Sequence, residues 1–227
     1  MITSIESDAL AASKEGLGNL ARRALTAAIG IPLIVAVVMA GKIAFAVALI
    51  AAAIIGINES LRLAGKISPA PVFRLTSIAY VALPMFFLGL LYLLDSGPIW
   101  VIFTFVATWL ADTSAYTVGR LVGRRPLAPT ISPNKTIEGA VGGLTVTSLV
   151  FAALTFLPVL SLPQRILFGL TLAVAATAGD LFESVFKRRA GVKDSGTILP
   201  GHGGFLDRID SLLFTAPISY LLLRLWI

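Results

Sequence analysis

The chain has 227 residues, of which 57% are hydrophobic and only 13% are charged, about half the charged fraction of roughly 25% in soluble domains. Charged residues are almost absent from three stretches, 24–57, 75–119 and 139–179, each long enough for at least one membrane span of about 20 residues. This composition excludes a soluble enzyme, a secreted disulfide scaffold and a disordered tail. The sequence contains no cysteine, which also excludes thiolate metal sites and redox chemistry.

Apolar segments of span length predict an all-α, polytopic membrane protein with about seven transmembrane helices. The expected spans are 24–40, 43–63, 75–94, 99–118, 140–157, 166–186 and 209–227. Residues 1–23 are more polar and fit either an interfacial helix or a frayed end. The organisation is therefore an N-terminal group of helices (24–118), a loop (119–139) and a C-terminal group of helices (140–227), which includes a second loop at 187–210.

The basic residues predict the orientation of these spans. If the N-terminus is cytoplasmic, fifteen of the 18 lysines and arginines fall in inside segments, and only Lys42, Arg165 and Arg224 fall outside. Cytoplasmic loops carry an excess of Lys and Arg, so we expect the N-terminus inside and the C-terminus outside. Both long loops then face the cytoplasm. Connections that only turn a chain average about 4 to 6 residues, so we expect these two loops to be functional.

Two carboxylates occur inside expected spans, Asp112 in TWLADTSAY and Asp180 in ATAGDLFES. Each precedes its cytoplasmic loop by seven residues, which at about 1.5 Å per residue puts both roughly 10 Å below the helix ends. An interhelical hydrogen bond that only fixes packing is the simpler interpretation. Carboxylates are costly in a membrane, however, and two at one depth favour a functional cavity.

Further polar residues flank the second loop. Glu183 and Lys187 follow Asp180 at i+3 and i+7, on one helical face, while Asp207 and Asp210 open the last span. Carboxylates from two helix ends are suitable ligands for a hard divalent cation such as magnesium, which completes its coordination with water and phosphate oxygens. Capping of a helix start by Asp207 is the alternative. The two carboxylate pairs, Asp180 with Glu183 and Asp207 with Asp210, together favour a metal site.

Phosphate is the natural counterpart of the basic residues in these loops. In LPGHGGFLD, glycines that include Gly203 and Gly204 allow the main chain to approach a ligand and to offer it N–H groups. His202 is the only histidine, and we expect it to bond a phosphate or to hold the loop rather than to act as a base. Neither GxxxxGK[ST] nor GxGxxG occurs, which argues against P-loop and Rossmann nucleotide sites.

Two segments carry a family resemblance. Residues 184–210 read SVFKRRAGVKDSGTILPGHGGFLDRID, and residues 112–143 read DTSAYTVGRLVGRRPLAPTISPNKTIEGAVGG. The first resembles the signature of the CDP-diacylglycerol synthase family, whose members are also called phosphatidate cytidylyltransferases. The second resembles the other motif region of that family. Together they cover roughly the C-terminal half of the chain, and the N-terminal half is similar only in being hydrophobic.

The resemblance implies transfer of CMP from CTP to phosphatidic acid, which gives CDP-diacylglycerol and pyrophosphate in phospholipid biosynthesis. It implies magnesium as cofactor, with potassium as a second candidate ion, and a bacterial inner membrane with the active site facing the cytoplasm. The expected partners are CTP, phosphatidic acid and the bilayer; nucleic acid is not expected, and homodimerisation is left open. We expect Asp180 and Asp207 to bind the metal and to act in catalysis with Lys193 and Asp210. The residues expected to contact substrate are Asp112, Ser132, Lys135, Thr136, Glu183, Lys187, Arg188, Asp194, His202, Gly203, Gly204 and Arg208.

Two alternatives remain at this point. A related CTP-dependent lipid enzyme, such as a CDP-archaeol synthase or a polyprenol kinase, would use similar loops on another lipid. An ion or solute transporter would use Asp112 and Asp180 as a translocation path. Long basic loops on one side only and the absence of an internal repeat argue against the transporter.

Overall fold

The structure is a computed structural model that describes residues 30–155, 159–196, 198 and 203–227. Some sequence predictions lie outside these residues, namely the N-terminal segment 1–23, the start of the first expected span, the end of the fifth and the role of His202. The chain divides into two compact units, residues 1–45 and 46–227. The first unit contains helix α1 (Gly30–Met39) and the beginning of helix α2.

The second unit consists mainly of long helices. Their bounds are α2 (Lys42–Ile67), α3 (Pro71–Tyr92), α4 (Gly97–Val122), α5 (Ile137–Ala153), α6 (Leu162–Arg189) and α7 (Leu206–Trp226). Between α4 and α5 lie two short strands, β1 (Pro126–Ala128) and β2 (Ser132–Thr136), which pair antiparallel. Prolines open α3, α4 and α6, where the missing N–H costs nothing because first-turn N–H groups have no helical partner.

Five of these helices, α2, α3, α4, α6 and α7, are long and apolar enough to cross a membrane. The prediction of a helical integral membrane protein is confirmed, and each of the five contains most or all of an expected span. The other two expected spans coincide with shorter apolar helices, α1 and α5. Only helices and closed barrels satisfy every backbone polar group in lipid, which is why apolar run length predicts these elements well.

The hairpin formed by β1 and β2 differs from the expectation of a loop at 119–139. Pro126 pairs with Thr136, and Ala128 pairs with Ser132. Strands of three and five residues are too short to show an alternation of apolar and polar residues. Thr136 ends β2 and also caps α5, since its hydroxyl accepts a hydrogen bond from the Gly139 N–H at 3.1 Å.

The helices α4 to α7 form a bundle with distinct layers. Aromatic rings from three helices fill its far end from the hairpin, where Phe151 contacts Phe168 and Phe103 with centroids 5.4 and 6.0 Å apart. Hydroxyl pairs join α4 to α7 in the next layers, with oxygen separations of 2.7 Å for Thr104 and Ser219 and 2.9 Å for Thr108 and Thr215. Interhelical hydrogen bonds of this kind fix helix register in lipid.

Small residues let α4 and α5 approach closely beside the hairpin. A Cβ on Gly139 would lie 2.6 Å from the Ala115 carbonyl oxygen, and one on Gly143 would lie 2.9 Å from the Ala111 oxygen. The small-xxx-small spacing of these glycines predicts such packing, and the structure confirms it. The close approach brings Asp112 of α4 and the hairpin to the same side of α5.

Candidate active site

A cavity of about 540 Å³ opens between α4, the hairpin, α5 and α6. It is lined by five residues that the sequence analysis predicted to act on substrate, metal or both. These are Asp112, Ser132, Lys135, Thr136 and Asp180. Two helices and a strand that are distant in sequence therefore bring these candidates to one cavity.

Lys135 and Asp180 form an ion pair in the cavity wall. Their side chains are 25% and 32% exposed, so the pair remains accessible to a ligand. The Ser184 hydroxyl lies 3.5 Å from the other carboxylate oxygen of Asp180. A cation from the hairpin and an anion from α6 thus face the same volume, which suits a ligand that carries phosphate groups and a metal ion.

Asp180 of this pair has two further carboxylates near it, one from α4 and one from α7. Asp112 of α4, Asp180 of α6 and Asp210 of α7 are near enough to interact electrostatically, which confirms the expected proximity of the two intramembrane carboxylates. Like charges in a medium of low polarity repel strongly. A cluster of this kind favours a nearby cation, which offsets the repulsion.

Lys187 connects α6 to α7. Its Nζ donates to Glu183 Oε2 at 2.8 Å and to Asp207 Oδ1 at 2.5 Å. Glu183 is fully buried and the Lys187 side chain is 13% exposed, so this contact is shielded from water. Lys187 and Glu183, both expected to contact substrate, bond to each other, and Lys187 also bonds to Asp207 in the first turn of α7.

Asp207 holds the segment that follows α6. Its Oδ2 accepts hydrogen bonds from the Ser195 N–H at 2.9 Å, the Ser195 hydroxyl at 3.0 Å and the Gly204 N–H at 2.8 Å. Gly203 has a φ of +80°, a conformation that glycine adopts without strain. The Gly204 N–H, predicted to cradle phosphate, is therefore directed at a carboxylate of the protein.

The remaining predicted residues lie at the same end of the bundle. Arg188 donates to the carbonyl oxygens of Ile131 at 3.3 Å and Val192 at 3.2 Å, which ties the hairpin to the end of α6. Lys193, Asp194 and Arg208 are exposed. They are not among the residues that line the cavity.

Some polar side chains of this region are not among the residues expected from the sequence. Tyr116 and Arg120 line the cavity, and an Arg120 guanidinium nitrogen lies 3.4 Å from the Tyr116 hydroxyl. Both follow Asp112 on one helical face, at i+4 and i+8, so the spacing could have identified them. Glu59 of α2 is also not among the expected residues. It is a carboxylate inside an expected span, as Asp112 is, and in the structure it is fully buried.

Glu138 fixes the connection between α4 and the hairpin. Its carboxylate accepts hydrogen bonds from the backbone N–H groups of Arg124 at 3.0 Å and Arg125 at 3.1 Å. These bonds, with its own N–H, lower the pKa of the Glu138 carboxyl below its ordinary value. The carboxylate is thus charged at neutral pH and orients the chain that leads to Lys135.

Carboxylates are the groups of this site that could hold a magnesium ion. No group of three or more His, Cys, Asp or Glu side chains arranged to hold a metal ion occurs among the residues that the structure describes. Magnesium, however, is commonly held by one or two carboxylates together with water and substrate phosphates. Asp180 with its neighbours Asp112 and Asp210 meets that requirement, whereas both oxygens of Asp207 already accept hydrogen bonds.

Comparison with known proteins identifies the family of the chain. A sequence model described as the cytidylyltransferase family matches residues 70–226. The chain belongs to the cytidylyltransferase family. The phosphatidate cytidylyltransferase of Staphylococcus saprophyticus is 46% identical over 157 residues, which cover 66% of this chain and 58% of that protein. Those of Staphylococcus aureus strain COL and Staphylococcus haemolyticus are 44% and 45% identical over 156 residues, with the same coverage.

The family match confirms the resemblance drawn from the two motif segments. The chain spans 58% of the length of these relatives. The matched residues 70–226 contain every side chain of the cavity lining, because that lining begins at Asp112 and ends at Asp180. Glu59 lies before the matched segment.

Proposed function

We propose that the protein transfers CMP from CTP to phosphatidic acid and so forms CDP-diacylglycerol and pyrophosphate. The observation that carries the proposal is the Lys135 and Asp180 pair in a cavity beside further carboxylates, in a chain of the cytidylyltransferase family. In this reaction a phosphate oxygen of phosphatidic acid attacks the α-phosphorus of CTP. The bond from that phosphorus to the bridging oxygen of the β-phosphate breaks, and pyrophosphate leaves with the electron pair.

The nucleophile needs no strong base from the protein. A phosphomonoester has a second pKa near 6, so phosphatidic acid is largely a dianion at neutral pH. The barrier is repulsion between this dianion and the triphosphate. The protein therefore has to supply positive charge and fixed geometry rather than a proton acceptor.

The basic residues of the cavity supply this charge. Lys135 and Arg120 line the cavity, and Lys193 and Arg208 are exposed at the same end of the molecule. We assign Lys135 to the phosphate chain of CTP, because it lines the cavity and its Nζ pairs with the Asp180 carboxylate, which a phosphate could replace. Exposed Lys193 and Arg208 are assigned to the pyrophosphate end of the substrate.

The carboxylates in and beside the cavity are the proposed magnesium ligands. We assign Asp180 as the first ligand, with Asp112 or Asp210 beside it. Bound magnesium would neutralise the triphosphate and stabilise the leaving pyrophosphate. Asp207 remains a predicted ligand, but its bonds to Lys187, Ser195 and Gly204 favour a role in holding the segment before α7. Potassium binding and homodimerisation stay predictions.

We further propose seven membrane spans, a cytoplasmic N-terminus and a bacterial inner membrane location. The five long helices, with α1 and α5 as additional spans, support this arrangement. At about 1.5 Å per residue, α5 with its 17 residues is about 26 Å long, slightly less than a hydrocarbon core of about 30 Å. The proposal puts the cavity on the cytoplasmic side, where CTP is available and phosphatidic acid can approach from the bilayer.

Purified protein with two differently labelled forms of CTP tests the proposed reaction. Label on the α-phosphorus should enter the lipid fraction when phosphatidic acid and magnesium are present, and label on the γ-phosphorus should not. Transfer of γ label to a polyprenol would indicate a lipid kinase instead. Absence of lipid label from both forms would overturn the proposal.

A further inference from the structure

Glu59 lies near the end of α2 and is fully buried. Both of its carboxylate oxygens accept hydrogen bonds at the start of α7. Oε1 accepts from the Phe205 N–H at 3.1 Å, and Oε2 accepts from the Leu206 N–H at 2.7 Å and from the Ser195 hydroxyl at 3.2 Å. One side chain of α2 therefore binds two separate segments of the chain, the one after α6 and the one that begins α7.

These contacts link Glu59 to the charged network of the candidate active site. The Ser195 hydroxyl lies 3.2 Å from Glu59 Oε2 and 3.0 Å from Asp207 Oδ2 and can donate its one hydrogen to either, while the Ser195 N–H donates to Asp207 Oδ2 at 2.9 Å. Asp207 in turn accepts from Lys187, which also bonds to Glu183. The path from α2 to Lys187 consists of direct hydrogen bonds between Glu59, Ser195, Asp207 and Lys187.

The segments around Ser195 and Asp207 are fitted closely to the Glu59 carboxylate. A Cβ on Gly196 would lie 2.3 Å from Glu59 Oε1, and a Cβ on Gly204 would lie 2.7 Å from Glu59 Oε2. Only glycine allows the main chain to approach this closely. Burial of a carboxylate is expensive unless donors surround it, and the first N–H groups of a helix are donors without helical partners. Glu59 and the start of α7 satisfy each other.

We propose that Glu59 is a positioning residue of this enzyme, acting through Ser195 and Asp207 on Lys187 and on the first turn of α7, the helix that carries the candidate metal ligand Asp210. Its carboxylate holds Ser195 and the first turn of α7 in place, and this fixes the orientation of the Asp207 carboxylate that binds Lys187. Glu59 does not line the substrate cavity, so it is not a catalytic residue. The expected effect on catalysis rests on the proposed function. The expected effect on the protection of backbone amides from hydrogen exchange does not.

Hydrogen exchange of the full-length protein tests the structural part of the proposal. The variant Glu59→Gln keeps the size of the side chain but replaces one acceptor by a donor. Glutamine keeps one acceptor oxygen, so at least one of the Phe205 and Leu206 amides loses its partner; we expect that amide, and the Ser195 amide held by Asp207, to exchange at least about tenfold faster, because a lost buried hydrogen bond leaves its partner unsatisfied. The control is Asn58→Ala, since Asn58 is exposed and, among the residues that the structure describes, its side chain bonds to the Ile54 carbonyl of its own helix. Unchanged protection in Glu59→Gln, whatever the activity, would overturn the proposal.

Steady-state kinetics test the catalytic part. Glu59→Gln and Ser195→Ala should each lower kcat about tenfold or more and leave the KM for CTP within about twofold, because neither residue contacts the nucleotide in this assignment. Since both act through Asp207, the double variant should be little worse than either single variant. If the fold-losses in kcat of the two single variants multiply in the double variant, the positioning role is wrong. A rise in the KM for CTP with kcat unchanged would also overturn it.

The two experiments separate the possible failures. If wild-type protein transfers no label from CTP, the proposed function fails, and the exchange data still decide whether Glu59 holds these segments. If Glu59→Gln does not fold, Ser195→Ala tests the same link with Glu59 intact. Full activity and unchanged exchange at Gly204 and Asp207 in Ser195→Ala would then overturn the inference.

Discussion

Lys135 and Asp180 balance each other's charge in the cavity wall, and the two residues come from the hairpin and from α6. The Lys135 side chain is 25% exposed. In the proposed function, a phosphate group replaces Asp180 as the partner of Lys135, and a metal ion replaces Lys135 as the partner of Asp180. The ion pair would keep both side chains oriented for these exchanges.

The variant Lys135→Ala tests the cation of this pair. We expect kcat/KM for CTP to fall about 100-fold, because removal of one preorganised group that stabilises transition-state charge costs on that order. Arg74→Ala is the control, since Arg74 is exposed on α3 and lies outside the cavity. The measurement is the rate of lipid labelling against CTP concentration in detergent. Equal activity of the two variants would contradict the assignment of Lys135 to phosphate.

Asp180 and Asp207 should respond differently to replacement by asparagine. Asp180→Asn should lose activity by about two orders of magnitude or more, with partial rescue by excess magnesium, and should keep its thermal stability, because it removes a metal ligand. Asp207→Asn should also lower the thermal stability, by about 1 to 3 kcal/mol, because Asp207 accepts from Lys187, Ser195 and Gly204. The measurements are activity against magnesium concentration and thermal unfolding. Stability loss in Asp180→Asn alone would reverse the two assignments.

At the scale of elements, the sequence predicts what depends on hydropathy and misses what depends on distant partners. The expected span 75–94 corresponds to α3 (Pro71–Tyr92), and 166–186 lies within α6 (Leu162–Arg189), because the bilayer fixes helix length. The hairpin has no such pattern. Glu59 contacts Ser195 at a separation of 136 residues, and no local spacing reveals a contact of that kind.

The close packing of α4 against α5 gives a prediction for these two helices. In Gly139→Ala, the new Cβ would lie 2.6 Å from the Ala115 oxygen and 3.1 Å from the Gly119 Cα. We expect a loss of about 1 to 3 kcal/mol in stability, the usual cost of overpacking, and reduced activity because the hairpin and Asp112 move apart. Gly65→Ala is the matched control, since a Cβ at this helical position meets nothing within 4 Å. Thermal unfolding in detergent compares the two, and equal midpoints would contradict close packing of α4 on α5.

At the scale of the whole molecule, the polar groups of the second unit are arranged by depth. The aromatic rings of Trp100, Phe151 and Phe168 lie at one end of the bundle. The hydroxyl pairs follow, and the carboxylates, lysines and hairpin lie at the other end. Hydroxyls in lipid need a partner but carry no net charge, whereas carboxylates need cations, water or phosphate. This order puts the charged site at the end that carries most basic residues.

The orientation of this arrangement gives a prediction that cysteine labelling can test, because the chain has no native cysteine. Thr130 lies exposed in the turn of the hairpin, and Ser96 lies exposed between α3 and α4, at the opposite end of α4. In intact cells that produce the protein, an impermeant maleimide should label Ser96→Cys directly and should label Thr130→Cys only after the membrane is opened. The excess of Lys and Arg around the hairpin, including Arg120, Arg124 and Arg125, is the physical reason for this orientation. Both variants should be labelled in detergent, which controls for burial of the thiol. Labelling of Thr130→Cys in intact cells would put the cavity on the outer side, away from CTP, and would contradict the proposed reaction as well as the orientation.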